Sequence, residues 1–182
     1  MTEPTGYADE LAWDHAAHEI PDAGLSARRE AAPDELARVA RALDLLDCPG
    51  LAAEYAISPA ASGRYRLSGR LRAEVVQACV VTLEPVASTI EESFEAMFWP
   101  PEDMPQPQGG EVAMDEGPEP EPLIAGRIGV GRVVFECLAM AIDPFPRTSD
   151  ARLEQHAAEP AAGAAADAAS PFAVLATLKS RG

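Results

Sequence analysis

The stretch from Arg64 to Val76, RYRLSGRLRAEVV, constrains this chain more than any other. Tyr65, Leu67, Leu71, Ala73 and Val75 share one parity, while Arg64, Arg66, Arg70 and Arg72 share the other. A period of two places these sets on opposite faces of an extended chain, which predicts a long strand with one apolar face that must be covered. Upstream, LAAEYAIS at 51–58 predicts a shorter strand, and Ser62-Gly63 supplies turn chemistry between the two. From Val86 onward, Val86, Ile90, Phe94 and Phe98 recur every four residues, so helix and strand templates compete. Thr89, Glu91, Ser93 and Glu95 fill the opposite parity, and the β-branched and aromatic content favours a strand.

The cover comes from helices. PDELARVARALDLL opens with Pro33 at a first helical position and Asp34 and Glu35 in the first turn, where carboxylates complement the helix dipole. Leu36, Val39, Ala40, Leu43 and Leu46 fall on one face, and Pro49-Gly50 is expected to stop the helix. A second helix is predicted in VGRVVFECLAMAIDPFPR, with Val130, Val133, Val134, Cys137, Leu138, Ala141 and Ile142 on a broad apolar face and Pro144 ending it. SPFAVLATLK has Ser170 as N-cap, Pro171 in the first turn and Lys179 in the last, predicting a short docking helix over 170–180. These elements predict an α+β fold, an antiparallel sheet packed against a few helices.

Two segments read as poorly ordered. Residues 101–126 contain no Lys or Arg and mix acids with proline and glycine, predicting a long flexible acidic loop, either a solvated connection or a dock for a basic partner. AAEPAAGAAADAA at 157–169 predicts an Ala-rich linker. The length of 182 residues suits a single domain over 1–182, with its core at about 25–156. No run of about 18 apolar residues and no basic start followed by an apolar stretch appears, so no membrane span or secretion signal is expected and a cytoplasmic location is. Three widely spaced cysteines fit reduced thiols in such a compartment.

Charge and spacing exclude several chemistries. A formal net charge of −16 argues against a protein that coats DNA or RNA non-specifically. There is no Cys-x-x-Cys, so no zinc ribbon is expected, and His15 and His18 are read as solvent-exposed. GRIGVGR forms neither a phosphate loop nor a dinucleotide fingerprint. Cys79 lacks a histidine base outside the amino-terminal segment other than His156, so core packing is favoured over nucleophilic chemistry. Glu84-Pro85 reads as a strand-terminating turn. No catalytic residue, metal or cofactor is expected.

The arginine stripe keeps two readings. Arg64, Arg66, Arg70 and Arg72 on one face would grip about four phosphates of a single-stranded RNA, with a log-log salt slope near −3. Alternatively, Glu91 and Glu95 on the neighbouring strand pair with them and neutralise the face. Aromatics that would stack bases are not interleaved there.

The succession GRLRAEVVQACVVTLEPV, an acidic loop, GRIGVGRVVFECLAMAIDPFPR and SPFAVLATLK, over about residues 25–180, resembles the YceD family, the large ribosomal RNA subunit accumulation proteins. The resemblance rests on Cys79, Leu83, Glu84, Pro85 and Val86, and on Asp143, Pro144, Phe145, Pro146 and Arg147. It implies a non-enzymatic factor in the synthesis, processing or accumulation of large-subunit (23S) ribosomal RNA, in contact with that RNA or a ribosomal protein. The different class to weigh is an acidic adaptor that holds a basic partner without touching RNA. Many family members carry Cys-x-Arg-Cys-Leu in the turn, whereas this chain has Val81 and Thr82 at those inner positions. Arg147 is read either as a cap on the carbonyls of the preceding helix or as a contact to an external phosphate.

Overall fold

The computed structural model describes residues 10–104, 120–149 and 151. The chain divides into two units, Met1–Ala151 and Arg152–Gly182, and only the first contains described residues. The expected linker at 157–169, the helix at 170–180 and His156 therefore lie outside them.

Arg64–Ala78 forms one strand, here β4, as the alternation requires. It lies at the centre of a five-stranded sheet between β3 (Asp47–Ala60) and β5 (Pro85–Trp99). β2 (Leu25–Glu30) adds antiparallel to β3. A two-residue β6 (Glu121–Pro122) closes the other side, parallel to the end of β5, so the sheet carries one parallel pair in an otherwise antiparallel order. A second, two-stranded sheet joins β1 (Asp14–Ala16) to β7 (Arg127–Gly129). Helices α1 (Pro33–Ala42) and α2 (Val130–Ala141) pack against β3 and against β5 and β4, respectively.

Between sheet and helices lies the core, where Leu51, Tyr55, Leu67, Leu71, Val75 and Phe94 meet Val39, Val134 and Leu138. Each fully buried Leu or Val there contributes on the order of 1.5–3 kcal/mol of apolar transfer energy. β4 and its neighbours come unusually close at Gly69. A Cβ there would stand 2.5 Å from the Glu54 carbonyl oxygen, 2.6 Å from Phe94 Cζ and 2.8 Å from Tyr55 Cβ, which is why a glycine interrupts the alternation. Gly131 plays a similar part in GRIGVGR. Its N–H donates to the Trp13 carbonyl (2.8 Å), and a Cβ would meet Leu11 O at 2.1 Å.

One buried carboxylate ties the amino-terminal segment to α1. Glu35 accepts the main-chain N–H of Ala12 (3.0 Å), the indole N–H of Trp13 (3.2 Å) and the N–H of Ala32 (2.9 Å). The last bond is half of a capping box, and Ala32 has no side-chain acceptor with which to return it. Full pairing of this kind is what allows a carboxylate to remain buried.

Several expectations are corrected. Helix α1 ends at Ala42, not at Leu46, because Asp44 takes a positive φ of 53° and turns the chain. Leu46 is consequently exposed, its N–H donating to Val76 O (2.8 Å), and Pro49-Gly50 falls within β3 beside an irregularity in the register. β3 extends beyond 51–58 at both ends. His15 is half-buried rather than exposed: its Nε2 lies 2.9 Å from the Tyr55 hydroxyl, and burial, followed by the charge of Arg29, lowers its pKa. The acidic stretch is anchored at both ends, by a short helical turn at Pro101–Asp103 and by β6 with buried Leu123 behind it. Residues 105–119 of it lie outside the described residues.

Candidate functional site

The residues singled out by the sequence fall into two places. The first is the face of the sheet turned away from the helices. Arg66, Arg70 and Arg72 are exposed there, and Arg64 is half-buried at one end. Register sets their partners: Arg72 lies opposite Glu91, Arg70 opposite Glu54 and Ser93, and Ser68, two residues along from Arg66, opposite Glu95. Arg72 pairs with Glu91, Arg66 with Glu95 at 2.9 Å and Arg64 with Asp103 at 3.5 Å. Arg64 also stacks over the Trp99 ring, 3.7 Å from its centroid. One row over, Arg28 of β2 bridges Glu30 and Glu54. Glu95 raises the pKa of Arg66 by direct hydrogen bonding. A shallow depression of about 380 Å³ opens among Arg28, Glu54, Arg70, Arg72, Glu91 and Ser93. Of the stripe, Arg70 makes no ion pair among the described residues.

The second place is a corner built by both sequence motifs. The turn from β4 to β5 closes when Cys79 donates its N–H to Glu84 O (2.8 Å) and accepts that of Leu83 (2.9 Å). Leu83 takes a left-handed φ of 64°, a conformation that disfavours a leucine. Asp143 follows α2, and its Oδ1 accepts the Phe145 N–H (2.8 Å), so the side chain shapes an Asx turn. That turn brings Pro146 against the hairpin, where it is buried and its carbonyl accepts the Val80 N–H (2.9 Å). Gln77 reaches Asp143 O at 2.9 Å from the strand side. Motifs separated by some sixty positions thus share one surface.

What this corner presents is unlike the sheet face. Leu83 and Phe145 are 76% and 68% exposed, with Val80 beside them. Arg147 is exposed and donates to no carbonyl at the end of α2 among the described residues. The final turn of α2 is instead closed by the Ile142 N–H on Leu138 O (3.1 Å).

Cys79 is buried but stands outside the central apolar cluster, with the Thr148 hydroxyl 3.9 Å from its sulfur. Thr82 holds the thiol down at about 6, through its hydroxyl and then its main-chain N–H, which lies 3.4 Å from Sγ. The hydroxyl has a single proton and also faces Glu84 Oε2 at 3.1 Å. The main-chain N–H is therefore the donor that persists whichever way the hydroxyl turns. A depressed thiol pKa means a contribution to stability that is full above the ordinary thiol range and lost as pH falls through about 6. Cys48 and Cys137 shift upward, chiefly by burial. Among the described residues no group of three or more His, Cys, Asp or Glu side chains is placed to hold a metal ion. No described helix is long and apolar enough to cross a membrane.

Sequence reasoning named most of the corner but missed Gln77, Val80 and Thr148. None carries a local signal, because each belongs to the site only through contact with a distant segment.

Comparison with family models matches residues 67–179 to the model described as Large ribosomal RNA subunit accumulation protein YceD. Neither the curated proteins nor the solved structures gave a match. The match begins at Leu67 in β4, later than the start near residue 25 suggested by the sequence, and runs through both motifs of the corner. Covering well over half of the chain, it establishes that this protein belongs to the YceD family of large ribosomal RNA subunit accumulation proteins.

Proposed function

We propose that this chain is a non-catalytic cytoplasmic factor that supports accumulation of large-subunit ribosomal RNA by contact with that RNA or with a ribosomal protein, and that the motif corner makes the contact. The observation that carries this reading is the bond from Val80 N–H to Pro146 O, which joins the two motifs of the family into one surface. That surface offers apolar Leu83 and Phe145 beside the exposed guanidinium of Arg147. The arginine face supports contact less well, since carboxylates already occupy Arg64, Arg66 and Arg72.

The test is the ratio of large- to small-subunit ribosomal RNA in cells lacking the protein. Complementation would use wild type, a Phe145→Ala/Arg147→Ala form, and a form with Arg64, Arg66, Arg70 and Arg72 neutralised. Large-subunit RNA should fall without the protein, return with wild type and with the four-arginine form, and stay low with the corner variant. An unchanged ratio in cells without the protein would sink the reading, and rescue by the corner variant would move the contact elsewhere.

The pairing of the arginine face also favours a second reading, the acidic adaptor that holds a basic partner without touching RNA. Deleting 105–119 while keeping the anchored flanks should abolish function under that reading and spare it under the first.

A further inference from the structure

β5 is paired with β4 along its length, but on its other side, among the described residues, only Phe98 and Trp99 meet a strand, β6. From Val86 to Met97 that side has no strand partner among the described residues. The register to β4 runs without a break from Tyr65↔Phe98 to Ala78↔Pro85, so no bulge twists the edge away, and no proline follows Pro85 within the strand. Edges this long are normally blunted by bulges, prolines, charged side chains or a covering helix; β5 has its three glutamates and, at Ser93, the Cys137 side chain of α2.

The direction of the main chain can be read directly. The Trp99 carbonyl accepts the Leu123 N–H at 2.9 Å and therefore faces outward. By the two-residue period, Ala87, Thr89, Glu91, Ser93, Glu95 and Met97 turn their N–H and C=O the same way. Among the described residues the Ser93 carbonyl meets only the weak thiol donor of Cys137 in α2, at 4.0 Å. We propose that the open edge of β5, Ala87 to Met97, is a strand-addition site for an extended basic peptide segment of a partner protein.

Charge selects the occupant. Pro85–Trp99 carries Glu91, Glu92 and Glu95 and no Lys or Arg. Glu91 and Glu95 are engaged by Arg72 and Arg66, whereas Glu92 has no cationic partner among the described residues. A second copy of a chain with net charge −16 would set acid against acid, and so would the chain's own stretch at 101–126, which has no Lys or Arg. An alternating basic and apolar segment meets the opposite condition: main-chain bonds supply affinity and its cations meet the acidic edge. RNA has no alternating N–H and C=O with which to continue a sheet. The inference does not rest on a role in ribosomal RNA accumulation, because peptide binding is found or lost whatever the cellular phenotype.

The test uses the full chain and a fluorescein-labelled dodecamer of alternating Lys and Val, read by anisotropy, with a copy carrying proline at every apolar position and a Glu-Val counterpart. The Lys-Val peptide should bind, both controls should bind at least about tenfold more weakly, and amide exchange should slow at Thr89, Glu91 and Ser93. Thr89→Pro removes an outward N–H and leaves the ladder to β4 intact, so affinity should drop about tenfold. Glu92→Lys alters no main-chain group and should weaken binding about threefold. Glu92→Lys and the exchange map decide the matter if Thr89→Pro does not fold. Absence of binding, equal binding of the proline peptide, or protection away from β5 would each overturn the proposal.

Discussion

On the outer face of the sheet, Arg66 and Arg72 meet Glu95 and Glu91 side chain to side chain, with all four exposed. In the motif corner the main chain carries the bonds from Cys79 to Glu84 and from Val80 to Pro146, the Asp143 carboxylate accepts the Phe145 N–H, and apolar Leu83 and Phe145 are left exposed beside Arg147. The face spends its charge internally and rests on a rigid ladder. The corner fixes its backbone and leaves its side chains to solvent. A surface of the second kind is ready for a partner, because its geometry survives the loss of the exposed Leu83, Phe145 or Arg147 side chain, whereas removing an arginine from the first uncovers a carboxylate.

The largest effect should come from the ladder itself. Gly69→Ala forces a methyl into the Glu54 carbonyl, the Phe94 ring and the Tyr55 side chain, and β4 has no room to yield between two paired neighbours. Overpacking of this severity costs about 3 kcal/mol, a fall in Tm of about 6–12 °C. A thermal melt that matches wild type would show that the sheet is soft at its centre, and the contrast with the corner would lose its basis.

How much of this was legible in the sequence depends on the range of the interaction that fixes each feature. β4, β5 and α2 were readable because a period of two or of 3.6 repeats within a short window, as in Leu67, Leu71 and Val75 or in Val130, Val134 and Leu138. β1 and β2 were not, because DHA and LSARRE alternate too briefly and become strands only by pairing with Ile128 and with Tyr55 and Ala53. The end of α1 was misplaced since Leu46 continues the apolar spacing while Asp44 breaks the backbone. The motif residues were readable from resemblance, but their meeting was not. A bond from Val80 to Pro146 leaves no trace in either segment alone.

A smaller effect should separate scaffold from surface within the corner. Asp143→Ala removes the acceptor of the Phe145 N–H, which is exposed enough to find water, so about 1 kcal/mol of stability should be lost. Phe145→Ala should cost less, because its ring is mostly in solvent already. Denaturant unfolding of the two variants tests the order. If Phe145→Ala is the more destabilising, the ring is packed in solution and the corner is part of the core.

The smallest effect belongs to the arginine face, and it is set by screening. Arg72 and Glu91 are both more than half exposed, and pairs of that kind contribute about 0.2–1 kcal/mol. Arg72→Ala should therefore lower stability by about 0.5 kcal/mol at low salt, with the deficit shrinking toward zero near 1 M, where the Debye length falls to about 3 Å. Glu91→Ala should match it, and the double variant should cost less than the sum of the two, since either single change already removes the whole attraction of the pair and the double variant cannot remove it twice. Denaturant titrations of the cycle at two salt concentrations measure the coupling. A coupling that persists at high salt would mean the guanidinium is held by packing on the sheet as well as by charge, and the face would then share the corner's preorganisation.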